Sequence, residues 1–284
     1  LGVVTGASVV AARKKKKIMP TFVKDFIDGE KNPGAYVGEP QGGFQESIIS
    51  FDANSLYPNV MISMNLSPET KVGTIIHRDK KSVQIKLEGG KMYNLSTDQF
   101  KQFVDTKNLA ITKANILFSQ SKKGIVPEIV DELYSVRVVH RTALDKARRV
   151  LSKTKESHPD YKKIKLEVEQ LNIKQYTIKI LINSIYGYFG NKRAPFGDDD
   201  IASSITLTGQ AVIKKSNKIL TEYIDKHSSA DLPKTNPIIY NDTDSSYISL
   251  DRILKTRNIP FSVNDVVTPE AYEVAEEIED HLNK

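Results

Sequence analysis

Asp242 and Asp244 stand two apart in the segment Tyr240-Asn241-Asp242-Thr243-Asp244-Ser245, with Ile238, Ile239, Tyr247 and Ile248 on either side. The flanks predict a strand, a tight turn and a second strand. Two carboxylates at the tip of a hairpin repel, and each makes the other harder to ionise. A divalent cation removes that conflict. Hard cations such as Mg²⁺ take oxygen ligands, typically one or two protein carboxylates completed by substrate phosphates. The pair therefore suggests phosphoryl-transfer chemistry. The competing reading is a plain Asp-rich turn, in which the side chains bond their own backbone.

A second carboxylate in a matching setting favours the metal. In Ser50-Phe51-Asp52-Ala53-Asn54-Ser55-Leu56-Tyr57-Pro58, the apolar residues Ile48, Ile49 and Phe51 deliver Asp52 at the end of a predicted strand. A helix that Pro58 can open in its first turn follows. Clamping two metals about 4 Å apart takes carboxylates from at least two chain segments, and Asp52 and Asp244 are candidates. Further along, Lys179, Asn183 and Tyr186 are spaced i, i+4, i+7 on one helical face, followed by Gly187. A lysine, an amide and an aromatic ring beside a glycine could hold a nucleotide. Arg137 and Arg141, one turn apart on the preceding helix, suit phosphate oxygens. Spacing alone favours an amphipathic helical hairpin with a basic solvent side.

These groups need elements to position them. Residues 20–45 are rich in Gly and Pro and read as loop or linker. Strands are predicted near 45–52, 71–77, 82–88 and 91–94, with Gly89-Gly90 as a turn, and a helix at about 97–106. From Pro127 a helical pattern runs to about Thr154, with Ile129, Leu133, Val136 and His140 on one face. Ser157-His158-Pro159-Asp160 breaks it. A second long helix runs over 161–189 and stops before Gly190, a C-cap candidate. A further helix spans about 201–226, the strand–turn–strand covers 237–250, and Ala271 to Leu282 is helical again. The layout is α+β, with an antiparallel helical hairpin inserted between strand-bearing regions.

The 284 residues are 39% hydrophobic and 27% charged, as in ordinary globular proteins. No run of eighteen apolar residues occurs, so no membrane span is expected. Cysteine is absent, which excludes thiolate metal sites and fits a reducing cytosol. The net charge of +6 favours a polyanionic partner. Between Ser121 and Ile180 there are fourteen Lys and Arg against eight Asp and Glu, so this region carries the excess. A phosphate-backbone surface and a solvated helical face account for it equally well. The run Arg13-Lys14-Lys15-Lys16-Lys17 follows the apolar stretch, the reverse of a secretory signal, and reads as a solvated loop.

Three blocks resemble motifs A, B and C of family B DNA polymerases: Asp52-Ala53-Asn54-Ser55-Leu56-Tyr57-Pro58 (DxxSLYP), Lys179-Ile180-Leu181-Ile182-Asn183-Ser184-Ile185-Tyr186-Gly187 (KxxxNSxYG) and Tyr240 to Ser245 (YxDTDS). Gly124-Ile125-Val126-Pro127 is similar to the start of that family's fingers, and Thr206-Leu207-Thr208-Gly209-Gln210 to its segment after motif B. The resemblance spans about residues 18–250. Asn65-Leu66-Ser67-Pro68-Glu69-Thr70 and the compact fingers look most like a T-even-type phage replicative polymerase.

The resemblance implies a palm of antiparallel sheet with helices, interrupted by the fingers hairpin. Residues 1–44 would be an N-terminal remnant and linker, 45–123 the first part of the palm, 124–192 the fingers and 193–284 the second part of the palm. It implies template-directed addition of dNTPs to a DNA primer, supported by two Mg²⁺ ions, with Mn²⁺ able to substitute. Asp52, Asp244 and the Ala53 carbonyl would hold the metals, and Asp242 would lie near the primer end. Arg137, Lys179 and Asn183 would hold the triphosphate, with Arg141 a further candidate, helped by the backbone amides of Ser55 and Leu56. Tyr57 would lie under the deoxyribose and exclude a 2′-hydroxyl, which disfavours an RNA-making enzyme. Tyr186 and Gly187 would face the nascent base pair. Primer-template DNA and a sliding clamp would be partners, in viral replication in the host cytoplasm.

The chain begins at Leu1 and ends inside a helical pattern, so it reads as a fragment without exonuclease or thumb, weak or inactive alone. A non-catalytic DNA-binding module and one half of a split polymerase are the alternatives. Asn241 stands where the family commonly has glycine, at a position expected to be left-handed. Asn59 replaces a frequent serine, and Arg141 stands where lysine is common. Asp198-Asp199-Asp200 reads as a loop and helix N-terminus rather than a third metal cluster.

Overall fold

The computed structural model describes residues 2–16, 33–191, 194 and 197–283, so Lys17 and the first part of the expected linker lie outside the described residues. Helix α1 (Gly2–Lys14) comes first, then β1 (Ile48–Asp52), α2 (Leu56–Ser63), β2 (Lys71–Arg78), β3 (Ser82–Leu87), β4 (Met92–Ser96) and α3 (Thr97–Lys107). Next come β5 (Leu109–Ile111), β6 (Ile116–Ser119) and three 29-residue helices, α4 (Ile125–Lys153), α5 (Tyr161–Phe189) and α6 (Asp199–His227). Last are β7 (Ile238–Asp242), β8 (Ser245–Ser249), α7 (Asp251–Arg257), β9 (Ser262–Val263), β10 (Val266–Val267) and α8 (Pro269–Leu282). The chain forms two compact units: residues 1–32 with 57–205, and residues 33–56 with 206–284.

In the first unit, five antiparallel strands run in the order β4-β3-β2-β6-β5. Alternation along β2 and β3 turns Ile75, Val83 and Ile85 inward, where they meet Phe100 of α3 and Leu117 of β6. The β3–β4 hairpin turns at Gly90, whose φ of 80° suits a residue without Cβ. Gly73 is required for a different reason: a Cβ there would lie 2.4 Å from the Lys86 carbonyl oxygen. Helix α3 starts with a capping box, Gln99 N–H donating to Ser96 Oγ and Ser96 N–H to Gln99 Oε1.

Helices α4 and α5 pack as a hairpin, joined across the predicted break. Gly190 is the α5 C-cap, though with a right-handed φ of −70°. Residues 2–14, whose small side chains gave no amphipathic signal, form α1, which packs on both helices of the hairpin. Lys15 pairs with Glu128 of α4. Thus Arg13 and Lys14 close a helix, where cations favour the C-terminal dipole, rather than lying in a loop.

In the second unit, β1, β8 and β7 form an antiparallel sheet with β8 in the centre. Tyr36 to Gln41 lies along the outer side of β7: Gly38 N–H donates to the Asn241 carbonyl (3.0 Å), Gln41 N–H to Ile239 (2.9 Å) and Thr243 N–H to Tyr36 (2.9 Å). This part of the expected linker is therefore docked chain. Ile248, Leu220, Ile224, Ile253, Leu254, Val274 and Ile278 form the core beneath the sheet.

Candidate active site

The β7–β8 hairpin is closed by the pair Asp242–Ser245, leaving Thr243 and Asp244 as its two-residue turn. Thr243 takes a φ of 56°, an uncommon conformation for a β-branched residue. Asn241 lies in strand β7 with no left-handed φ and is 2% exposed. The expectation of a left-handed position there is corrected: the turn's strain falls two residues later, because the hairpin closes at Asp242.

Strand β1 pairs with β8 so that Asp52 sits opposite Ser245. Ala53 N–H donates to the Asp244 carbonyl (2.8 Å), and the Ser245 hydroxyl donates to Asp52 Oδ1 (2.9 Å). Two carboxylates almost two hundred positions apart are thereby brought to one end of one sheet. Asp52 and Asp242 are exposed and Asp244 is half-buried. Asp52 and Asp244 border an 870 Å³ cavity between this sheet and α8. All donors here are hard oxygens, the class that suits Mg²⁺. Among the described residues no group of three or more His, Asp or Glu forms a cage, so an ion would draw its other ligands from substrate and water. The donor set fits Mg²⁺.

After Asp52 the chain turns through Ser55, at a φ of 54°, into α2. The first-turn amides of α2, Leu56 among them, lack partners within the helix, as at any helix start. Leu56 is buried.

The other site residues belong to the first unit. Tyr57, in α2, meets Tyr186 of α5 with ring centroids 4.9 Å apart, and burial pushes the Tyr186 phenol pKa up. Lys179 and Asn183 are exposed on α5, and a Cβ built on Gly187 would meet open space. On α4, Arg137 is half-buried and Arg141 exposed. The structure thus gathers the carboxylates, Ala53, Ser55 and Leu56 in one unit and Tyr57, Arg137, Arg141, Lys179, Asn183, Tyr186 and Gly187 in the other. The chain joins the two sets between Leu56 and Tyr57.

The base of α4 shows what the segment Asn65 to Thr70 does. Ile125 N–H donates to Glu69 Oε1 (2.5 Å), Val126 N–H to Ser67 Oγ (3.3 Å) and Gly124 N–H to Asn65 Oδ1 (2.8 Å). The helix start has no cap from Gly124 itself and takes its acceptors from a segment some sixty residues away. Sequence spacing carries no signal for this contact.

Asp198 accepts from the N–H groups of Asp200 (2.9 Å) and Ile201 (3.2 Å), and Lys71 pairs with Asp198 and Asp200. The aspartate run is a capped helix N-terminus, as expected. Burial works to lower the Lys71 pKa, but Asp200, Asp198 and Glu88 outweigh it and leave it raised.

Comparison with known families decides the lineage. The description "DNA polymerase family B" matches residues 4–280. The chain belongs to DNA polymerase family B. Among curated relatives of this family B chain, the "DNA polymerase delta catalytic subunit" of Candida albicans is 32% identical over 224 residues, covering 78% of this chain and 18% of that protein. The "DNA polymerase beta" of African swine fever virus (isolate Tick/Malawi/Lil 20-1/1983) is 27% identical over 255 residues, 89% of this chain. The chain spans about a fifth of the length of these relatives. The solved family B DNA polymerase from Pyrobaculum calidifontis superposes with a TM-score of 0.49 at 22% identity, over 89% of this chain and 27% of that one. No helix among the described residues is long and apolar enough to cross a membrane.

Proposed function

We propose that this family B chain is the palm and fingers of a replicative DNA polymerase that extends a DNA primer with dNTPs along a template. The supporting observation is the register that sets Asp52 opposite Ser245 and ties Ala53 to Asp244. Palm residues 45–123 and 193–284 would flank fingers at 124–192. Two Mg²⁺ ions, or Mn²⁺ in their place, held by Asp52, Asp244 and the Ala53 carbonyl, would lower the pKa of the primer 3′-hydroxyl and neutralise charge on the leaving pyrophosphate.

The chain's own groups do the rest. Lys179, Arg137 and Asn183, with Arg141 further along α4, bind the triphosphate and counter its charge in the transition state. The Ser55 and Leu56 amides add donors to phosphate oxygens. Tyr57 underlies the sugar and leaves no room for a 2′-hydroxyl, while Tyr186 and Gly187 check the shape of the base pair. Asp242 attends the primer end. The basic fingers hold phosphate backbone without reading sequence.

The finer assignment, a viral and specifically T-even-type phage enzyme working with a sliding clamp in host cytoplasm, rests on the motif resemblance. The viral part is supported by the African swine fever virus relatives. Primer extension by the full-length protein tests the core of the proposal. Wild type should extend a primer in Mg²⁺, and Asp244→Asn should lose at least about 100-fold in kcat, the scale of removing one electrostatic group from a transition state. Undiminished extension by Asp244→Asn would remove Asp244 as a ligand.

A further inference from the structure

The face of the β7–β8 hairpin opposite Asp242 and Ser245 carries a closed polar network. Asn241 and Ser246 are cross-strand partners one step below the pair that closes the turn. Strand alternation turns them away from the Asp242 side and towards α6. There Asn217 meets both. Asn217 Nδ2 donates to Asn241 Oδ1 (2.9 Å), and the Ser246 hydroxyl donates to Asn217 Oδ1 (2.7 Å). Asn241 Nδ2 donates to Ser246 Oγ (2.7 Å) and to the Ser245 carbonyl (3.3 Å). Asn241 and Ser246 are 2% and 3% exposed. On the far side Gly38 approaches so closely that a Cβ there would lie 3.3 Å from Asn241 Oδ1.

We propose that Asn217 is a positioning residue for the catalytic turn, holding Asp242 and Asp244 in register with Asp52 through Asn241 and Ser246. The inference rests on the polymerase reading and deepens it. A two-residue turn with φ of 56° at a threonine is strained, and a strained turn keeps its shape only where its surroundings over-determine it. The strands flanking the turn supply part of that constraint. The network supplies a further part, because Asn241 and Ser246 are buried and a slip of either would leave its polar atoms unpaired. Glycine at position 241 could not take part, so the departure at Asn241 and the presence of Asn217 form one device.

The test uses full-length protein and two readouts: primer extension across a Mg²⁺ titration, and direct Mn²⁺ binding by electron paramagnetic resonance. Asn217→Ala is expected to raise both the Mg²⁺ concentration for half-maximal rate and the Mn²⁺ dissociation constant at least threefold. It should lower kcat about tenfold while leaving the KM for dNTP within twofold. Ile253→Val, in the apolar core of the same unit, serves as a control that lowers the melting temperature without moving either metal readout. Combining Asn217→Ala with Asn241→Gly should add nothing to the metal shift of Asn241→Gly alone, since both break one network. If Asn217→Ala does not fold, Asn217→Ser takes its place in the same cycle. Unchanged metal readouts, or additive effects of the two substitutions, would overturn the inference with the polymerase reading intact. A wild-type protein that fails to extend primers would sink the polymerase reading itself.

Discussion

The Ser245 hydroxyl donates to Asp52 Oδ1 at 2.9 Å, so the strand that ends in one carboxylate is tied to the residue that follows the other. A hydrogen bond to a charged group contributes about 1.5–3 kcal/mol, and about 1.4 kcal/mol corresponds to a tenfold change in rate. Ser245→Ala in the full-length protein is therefore expected to lower kcat about tenfold, and Asp52→Asn at least about 100-fold. Single-turnover extension measures both; a Ser245→Ala rate equal to wild type would show that the bond does not orient Asp52.

Lys179 is exposed on α5 and free to reach a triphosphate, so its loss should weaken binding more than fold. Lys179→Ala is expected to raise the KM for dNTP at least tenfold with a melting temperature near wild type. Steady-state kinetics with primer-template in excess decide it.

Tyr57 packs its ring 4.9 Å from Tyr186, which fixes its place in the first turn of α2. Tyr57→Ala should raise incorporation of ribonucleotides relative to deoxynucleotides by about 100-fold or more, a loss of roughly 3 kcal/mol of discrimination. Competition between rATP and dATP is the measurement, and an unchanged ratio would contradict the gate role.

The start of α4 depends on acceptors from residues 65–70. A Cβ on Gly124 would meet Ser67 Cβ at 2.6 Å, so Gly124→Ala must push that segment away. Overpacking of this kind costs about 1–3 kcal/mol. Hydrogen exchange at Ile125 and Val126 should accelerate in Gly124→Ala and in Glu69→Ala, while amides in the five-stranded sheet keep their protection.

Acid should weaken the second unit through Asp225. The hydrogen bond from Arg252, helped by Lys234, holds its carboxyl below the ordinary carboxylate value. A lowered folded-state pKa means that the stability it contributes is present above the unfolded value of 3.8 and is lost as pH falls through the folded one. Urea unfolding from pH 6 downward should show a shallower acid loss in Asp225→Asn than in wild type.

The long elements were legible because their signals are local. The break at Ser157 to Asp160 falls between α4 and α5, the one before Gly190 falls where α5 ends, and alternation placed β1, β7 and β8 within three residues. Three features were not legible. Helix α1 is built from small residues whose burial depends on distant α4 and α5. Strands β5 and β6 are three and four residues long, too short for a period to register. Asn241 looked like a turn residue because the turn's position depends on pairing, and one step of register moves a side chain to the other face. At the site, residue types pointed to the chemistry, but the ties of Asp52 to Ser245 and of Asn217 to Asn241 are long-range and carry no local trace.

The segment Tyr36 to Gln41 has a consequence for solubility. Without it, β7 would present a bare row of backbone donors and acceptors, a template on which another chain could add itself. The residues nearest that template would be Asp242 and Asp244, the proposed primer-end group and metal ligand. A protease cut or a deletion before β1 that frees this segment should therefore do more than loosen a loop. It should turn the β7–β8 hairpin into a nucleus for intermolecular β-pairing, so that loss of the proposed primer extension and onset of aggregation arrive together.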